Sequence, residues 1–192
     1  MLLPTSKLSR VQKMPKGQTR EITRIVIHCA DTWSKEALAQ QWHKKKFDEC
    51  DEKQQKKIMG CVDIGMHTID SWHEAEGFSE SPETKLHCGY HAVIRIDGTI
   101  EIARAEHEVG IHVKGHNHNS LGICLIGGRP EDSFTKEQME ALYAQLLVWV
   151  VRYGLEAKQV VGHKELNPKK TCPNISDMDK IRDELEVRLK GA

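Results

Sequence analysis

The sequence predicts one α/β domain with a central mixed β-sheet flanked by helices. Short β-branched runs at 23–30, 89–104, 121–127 and 159–162 alternate with helical apolar spacing at 66–76, 135–154 and about 177–189. A chain of 192 residues suits one such core rather than two.

Residues 1–20 are polar and broken by Pro and Gly, which reads as an N-terminal arm before a domain spanning 21–192. TRIVIHCA, residues 23–30, is a buried strand running up to a histidine. Residues 35–60 carry dense charge, with Lys44, Lys45 and Lys46 followed by DECDEKQQKK, and read as a solvated insertion, helix or loop. Met66, Ile69, Trp72 and His73 have helical spacing that stops at Gly77. GYHAVIRIDGTIEIAR is a hairpin, with Asp97-Gly98 as a two-residue turn. Ala92, Ile94 and Ile96 are expected on one face, as are Ile100 and Ile102 on the returning strand. LGICLIG, 121–127, has the length of a central strand. Thr135 and Gln138 form a capping-box pair ahead of a stripe of Met139, Leu142, Tyr143, Leu146, Leu147, Val150 and Val151 that ends at Gly154. QVVG, 159–162, is a short strand reaching His163, and Met178, Ile181, Leu185 and Leu189 form the inner stripe of a last helix.

Composition narrows the function. Lys plus Arg and Asp plus Glu both number 28, so net charge steers the chain toward neither nucleic acid nor an anionic membrane. No apolar run approaches the roughly 20 residues of a spanning helix. MLLPTSKLSR lacks the apolar stretch of a signal peptide, giving the expectation of synthesis in the cytoplasm. The six cysteines include no CxxC pair, which excludes the usual zinc-finger and thioredoxin-like motifs. Cys88 and Cys124 read as core thiols. Cys50 and Cys61 are left open to pairing after release.

Three positions combine a strand end or an adjacent loop with a metal-ligand side chain: His28, His163 and, nine residues on, Cys172. Strand ends on one sheet edge converge, and the loop 163–172 can fold back to present both of its ligands. Two imidazoles and a thiolate leave a tetrahedral position open, as in catalytic zinc sites, and N and S donors disfavour hard cations. Cys29 adjoins His28, but successive strand residues face opposite ways, so it reads as a core thiol. On spacing alone a strand-end histidine is more often a structural hydrogen-bonding residue than a ligand.

A resemblance sharpens the choice. IVIHCADT, DSWHEAEGF, GYHAVIRIDGTIE, VGIHVKGHNHNSLGICLIGG and VGHKELNPKKTCP, in this order, resemble the type-2 N-acetylmuramoyl-L-alanine amidase family, whose members include short phage endolysins and peptidoglycan recognition proteins. The resemblance covers roughly 22–34 and 62–190, and is nearest to the small phage amidases historically called lysozymes. It implies an amidase-2, recognition-protein-like fold and zinc-dependent hydrolysis of the bond between N-acetylmuramic acid and L-alanine. It places one Zn2+ on His28, His163 and Cys172, and catalytic roles on Tyr90 and Lys170, with Lys169 competing for the last. His112 and Trp33 are candidate substrate contacts; His116 and His118 either join them or hold their loop, and Glu165 is either a helper carboxylate or a surface residue. Peptidoglycan is the implied substrate, reached from the host cytoplasm through a lesion made by a partner holin to act on the periplasmic wall. A monomer is expected. Some phage relatives also contact phage RNA polymerase, and the arm and the 35–60 insertion are where such a contact would differ. A recognition module without catalysis is the competing class; Cys172, Tyr90 and Lys170 argue against it.

Overall fold

The computed structural model describes residues 20–129 and 133–191, so the arm assigned to 1–20 lies, Arg20 apart, outside the described residues. Five strands form one mixed sheet in the order β3-β2-β4-β1-β5. β1 (Arg24–Cys29) is an interior strand, parallel to β4 (Ser120–Leu125) on one side and to the edge strand β5 (Val160–Gly162) on the other. β2 (Ala92–Ile94) runs parallel to β4, and β3 (Ile100–Ile102) closes the edge antiparallel to β2. A central parallel strand is covered on both faces, which accounts for the unbroken apolar run Ile25, Val26 and Ile27.

The hairpin differs from its sequence reading. Arg95 N–H donates to the Thr99 carbonyl at 2.9 Å and Gly98 N–H to the Arg95 carbonyl at 3.0 Å, so the loop holds three residues, Ile96, Asp97 and Gly98. Only Gly98 takes positive φ, at +85°, as a bulge at this position requires. The extra residue turns Ile96 away from Ala92 and Ile94 to the opposite cluster. Ile102, paired with Ala92 on the edge strand, is 57% exposed.

Helix α4 (Lys136–Tyr153) starts and stops as its sequence indicates. The Thr135 hydroxyl accepts from Gln138 N–H and the Gln138 side chain accepts from Thr135 N–H, each at 3.1 Å, and Gly154 ends the helix in the left-handed conformation. Its buried stripe runs through Leu142, Leu146, Trp149 and Val150, whereas Val151 is 51% exposed. Trp149, not named in the sequence reading, lies seven residues after Leu142 on this stripe, and its indole N–H donates to Glu106 at 2.8 Å. With α6 (Met178–Gly191), α4 covers the face carrying Ile25, Ile27, Leu121 and Ile123. Helix α3 (Met66–Ala75) packs Met66 and Ile69 on the other face against Val93, Cys124 and Ile126. Strand alternation sends His28 to this second face, level with Cys124.

The charged stretch 35–60 is more than a solvated element. It folds as α1 (Lys35–His43), a short 3₁₀ turn and α2 (Glu52–Val62), and encloses a cluster of Leu38, Ala39, Phe47, Cys50, Ile58 and Val62. Cys50 is buried there and Cys61 is exposed, both as free thiols. A single helical turn, α5 (His163–Leu166), begins directly after β5.

Leu146 is fully buried between α4 and the sheet. Leu146→Ala is expected to lower unfolding free energy by about 2–5 kcal/mol in a urea titration, with the slope of the transition unchanged.

Candidate functional site

β1 and β5 run side by side, with Ile27 opposite Gly162, so the residues that follow, His28 and His163, emerge together at one edge. Their ring centroids are 4.7 Å apart. The loop beyond α5 is folded back by Lys164 N–H donating to the Cys172 carbonyl at 2.8 Å. That bond carries the Cys172 sulfur to 3.7 Å from His28 Nδ1. One donor atom from each of His28, His163 and Cys172 lies within 4.8 Å of the others. They line a cleft of about 240 Å³ together with Tyr90, Lys170 and Asn174.

The cleft favours neutral imidazoles. Burial, then the neighbouring His163, holds the His28 pKa well below the ordinary histidine value. Burial, then the Lys170 charge, lowers that of His163. A hydrogen bond with the Cys29 side chain, then burial, raises the Cys172 thiol, so without a cation this sulfur keeps its proton. Against that, Cys29 N–H donates to the Cys172 sulfur at 3.2 Å, a contact suited to a thiolate. Neutral ring nitrogens plus a sulfur that ionises when a cation arrives are the donor set of a tetrahedral N/S metal site, and they fit zinc.

Tyr90 tilts over His28 with centroids 5.1 Å apart. Burial, with nearby Cys124 and Cys172, raises its pKa well above the usual phenol value. Lys170 faces the same cleft, whereas Lys169 lies outside the lining and donates its backbone N–H to Asn167 Oδ1 at 3.2 Å. The two candidate substrate contacts do not line the cleft. His112 stands behind His28, its Nδ1 3.0 Å from His28 Nε2. Trp33, 37% exposed, has the Arg129 guanidinium 4.2 Å from its ring centre.

The remaining candidates do not line the cleft. His116 offers its carbonyl to the Ser120 hydroxyl, and the His118 carbonyl accepts from Arg20 at 3.1 Å. Glu165 accepts from Gly162 N–H and pairs with Arg182 at 3.1 Å. Cys29 is buried as expected but is not confined to the core: it lines the same cleft, its side chain bonds that of Cys172, its sulfur accepts from the Asn174 amide at 3.7 Å, and its backbone N–H reaches the Cys172 sulfur. Asn174 went unnoticed in the sequence. It takes positive φ, 58°, and its amide donates to the Gly128 carbonyl, pinning the cysteine loop to the end of β4; an Asn two residues after a ligand cysteine, tolerant of that conformation, was the available signal.

Fold and cleft together define an α/β protein with a centre able to hold a metal ion at the strand ends. Residues 18–175 match the family model described as N-acetylmuramoyl-L-alanine amidase, and the chain belongs to that family. The endolysin of Klebsiella phage KP32 is 39% identical over 59% of this chain and 72% of its own length. That of Escherichia phage T7 is 38% identical over 58% and 70% respectively. Among solved structures, an endolysin N-acetylmuramoyl-L-alanine amidase from Clostridium intestinale superposes with a TM-score of 0.60 at 23% identity, covering 87% of this chain and 85% of that one. Drosophila peptidoglycan recognition protein SD gives 0.58 at 19%, covering 85% and 81%. At these identities the structural matches establish the fold.

Behind the cleft, His91 is fully enclosed. Its Nδ1 accepts from Gly122 N–H at 2.9 Å, and burial, then the Arg20 charge, pushes its pKa down to about 3. A folded-state value below the unfolded one means the stabilisation is complete above about pH 6.5 and drains away as pH falls toward 3. Denaturant titrations are therefore expected to show about 2–3 kcal/mol lost between pH 6.5 and 4.5 from this residue. His91→Gln should flatten that slope.

Proposed function

We propose that the chain is a zinc-dependent N-acetylmuramoyl-L-alanine amidase that hydrolyses the amide bond between N-acetylmuramic acid and L-alanine in peptidoglycan, as an endolysin does. The observation that carries the reading is the meeting of His28, His163 and Cys172, with donor atoms within 4.8 Å, in a cleft also lined by Tyr90 and Lys170. Family membership and the phage endolysin relatives support the substrate.

The two imidazoles and the sulfur would hold the ion. When bound, zinc supplies Lewis acidity toward the scissile carbonyl and acidity to water. The protein does the rest. Tyr90, its pKa raised by burial, keeps its proton across the physiological range and so acts as a hydrogen-bond donor, not a base. In this cleft its partner is the carbonyl oxygen as negative charge builds there. Lys170 adds fixed positive charge beside the same position, an arrangement worth more in a partly dry cleft than in water. Asn174 and the Lys164 backbone bond hold the loop that carries both Lys170 and Cys172. On this reading the enzyme is made in the host cytoplasm and reaches the wall through a lesion opened by a holin. Among the described residues no helix is long and apolar enough to cross a membrane.

Purified protein with zinc should release stem peptides from peptidoglycan without new reducing sugar ends, and a chelator should abolish the release. Mass analysis of the digest checks both, and reducing ends would assign a glycosidase instead. Binding without any release would mark a recognition module. Lys170→Ala should cut turnover by about 10²-fold or more with zinc content intact, whereas Cys172→Ser should lose the metal itself, as read by elemental analysis of the dialysed protein.

A further inference from the structure

The ring nitrogen that His28 turns toward Cys172 is Nδ1, and its other nitrogen, Nε2, is 3.0 Å from His112 Nδ1. Which of these two atoms carries the proton decides whether Nδ1 is free to bind a cation. The answer is fixed three bonds away. The Ser120 hydroxyl lies 2.7 Å from the His116 carbonyl oxygen, which has no proton to give, so Ser120 must donate there. Its single proton thus committed, Ser120 Oγ can only accept from His112 Nε2, at 3.3 Å. His112 then bears its proton on Nε2 and presents a bare Nδ1, which must accept from His28 Nε2–H. His28 is left with an unprotonated Nδ1 aimed into the cleft.

The geometry points to His112 as a positioning residue. Through a one-directional hydrogen-bond chain ending at the His116 carbonyl, it holds His28 in the single tautomer that can ligate metal through Nδ1. Its own ring is held by absence of side chains around it. A Cβ at Gly122 would stand 2.7 Å from the His112 ring, and one at Gly110 2.6 Å from it. The ring therefore lies over the bare backbone of β4, on the same sheet face as His28. From below, Asn117 Oδ1 accepts from the backbone N–H groups of His112 and Val113 at 2.9 and 2.7 Å, fixing the loop that delivers the ring. Outer partners of this kind, which orient a ligand histidine, typically contribute 10–100-fold to metal affinity. The assignment replaces the substrate contact expected of His112 from sequence, and it rests on the metal-centre reading above.

The test needs no substrate, so its outcome is separable from that of the amidase reading. In zinc-free protein prepared by chelator dialysis, long-range ¹H–¹⁵N NMR should find His28 as the Nε2–H tautomer and His112 likewise. His112→Phe keeps a ring but offers no acceptor. It should populate the Nδ1–H form of His28 and weaken zinc binding 10–100-fold in a competition titration against a chromophoric chelator. His112→Asn restores an acceptor oxygen at the Nδ1 position and should recover both the tautomer and most of the affinity. Recovery by this smaller, non-aromatic side chain is a result that a purely packing role for the ring does not give. Should His112→Phe fail to fold, Ser120→Ala decides: freed from its anchor, His112 should show mixed tautomers, and zinc affinity should fall. A His28 Nδ1–H tautomer in the wild-type protein overturns the inference, as does unchanged zinc affinity in His112→Phe, or in Ser120→Ala if the phenylalanine variant does not fold.

Discussion

Parallel pairing on both sides of β1 is the constraint from which the cleft follows. A strand held by β4 on one edge and β5 on the other has no freedom to slip, because a shift of one residue would carry His28 from the cleft face into the packed layer beneath α4. The register that buries Ile25 and Ile27 on one side is the register that turns His28 to the cleft side on the other, and the pairing of Ile27 with Gly162 brings His163 alongside. Core packing and ligand placement are thus one event. Only the sulfur arrives separately, on a loop secured by the Lys164–Cys172 backbone bond and by Asn174.

Much of this was legible in the order of residues because the signals were local. The Thr135–Gln138 box and Gly154 bracket α4 through bonds spanning three or four residues, and such short-range chemistry reads directly from sequence. Strand ends also read well, since a β-branched run stopping at a histidine names both the strand and the residue at its tip. The misreadings involve partners distant in the chain. Trp149 lies seven residues after Leu142, on the buried stripe, and its indole proton goes to Glu106, 43 residues earlier, a partner that spacing cannot name. The Asp97-Gly98 pair looked like a two-residue turn, but strand pairing on either side demanded one residue more, and Ile96 moved to a different cluster.

The same distinction runs through the site. His28, His163 and Cys172 could be picked out by donor chemistry and by their position at element ends. The role of His112 could not, for it depends on a hydroxyl eight residues away and on two glycines whose missing side chains make room for a ring. Charge patterning likewise concealed the apolar interior of the α1–α2 segment, since its six buried residues are spread thinly among lysines and acids.

That segment touches the sheet layer at a shared residue: Ile96 packs against both its cluster and the one beneath α3, while Asp63, just past α2, pairs with Arg95 at 2.6 Å. A lobe with its own interior, joined at the hairpin tip, can accumulate substitutions on its outer surface with little consequence for the far end of the sheet. Evolutionary divergence should therefore run faster there than along β1, and the lobe becomes the natural place for related chains to vary in bulk while the chemistry at the strand ends stays fixed.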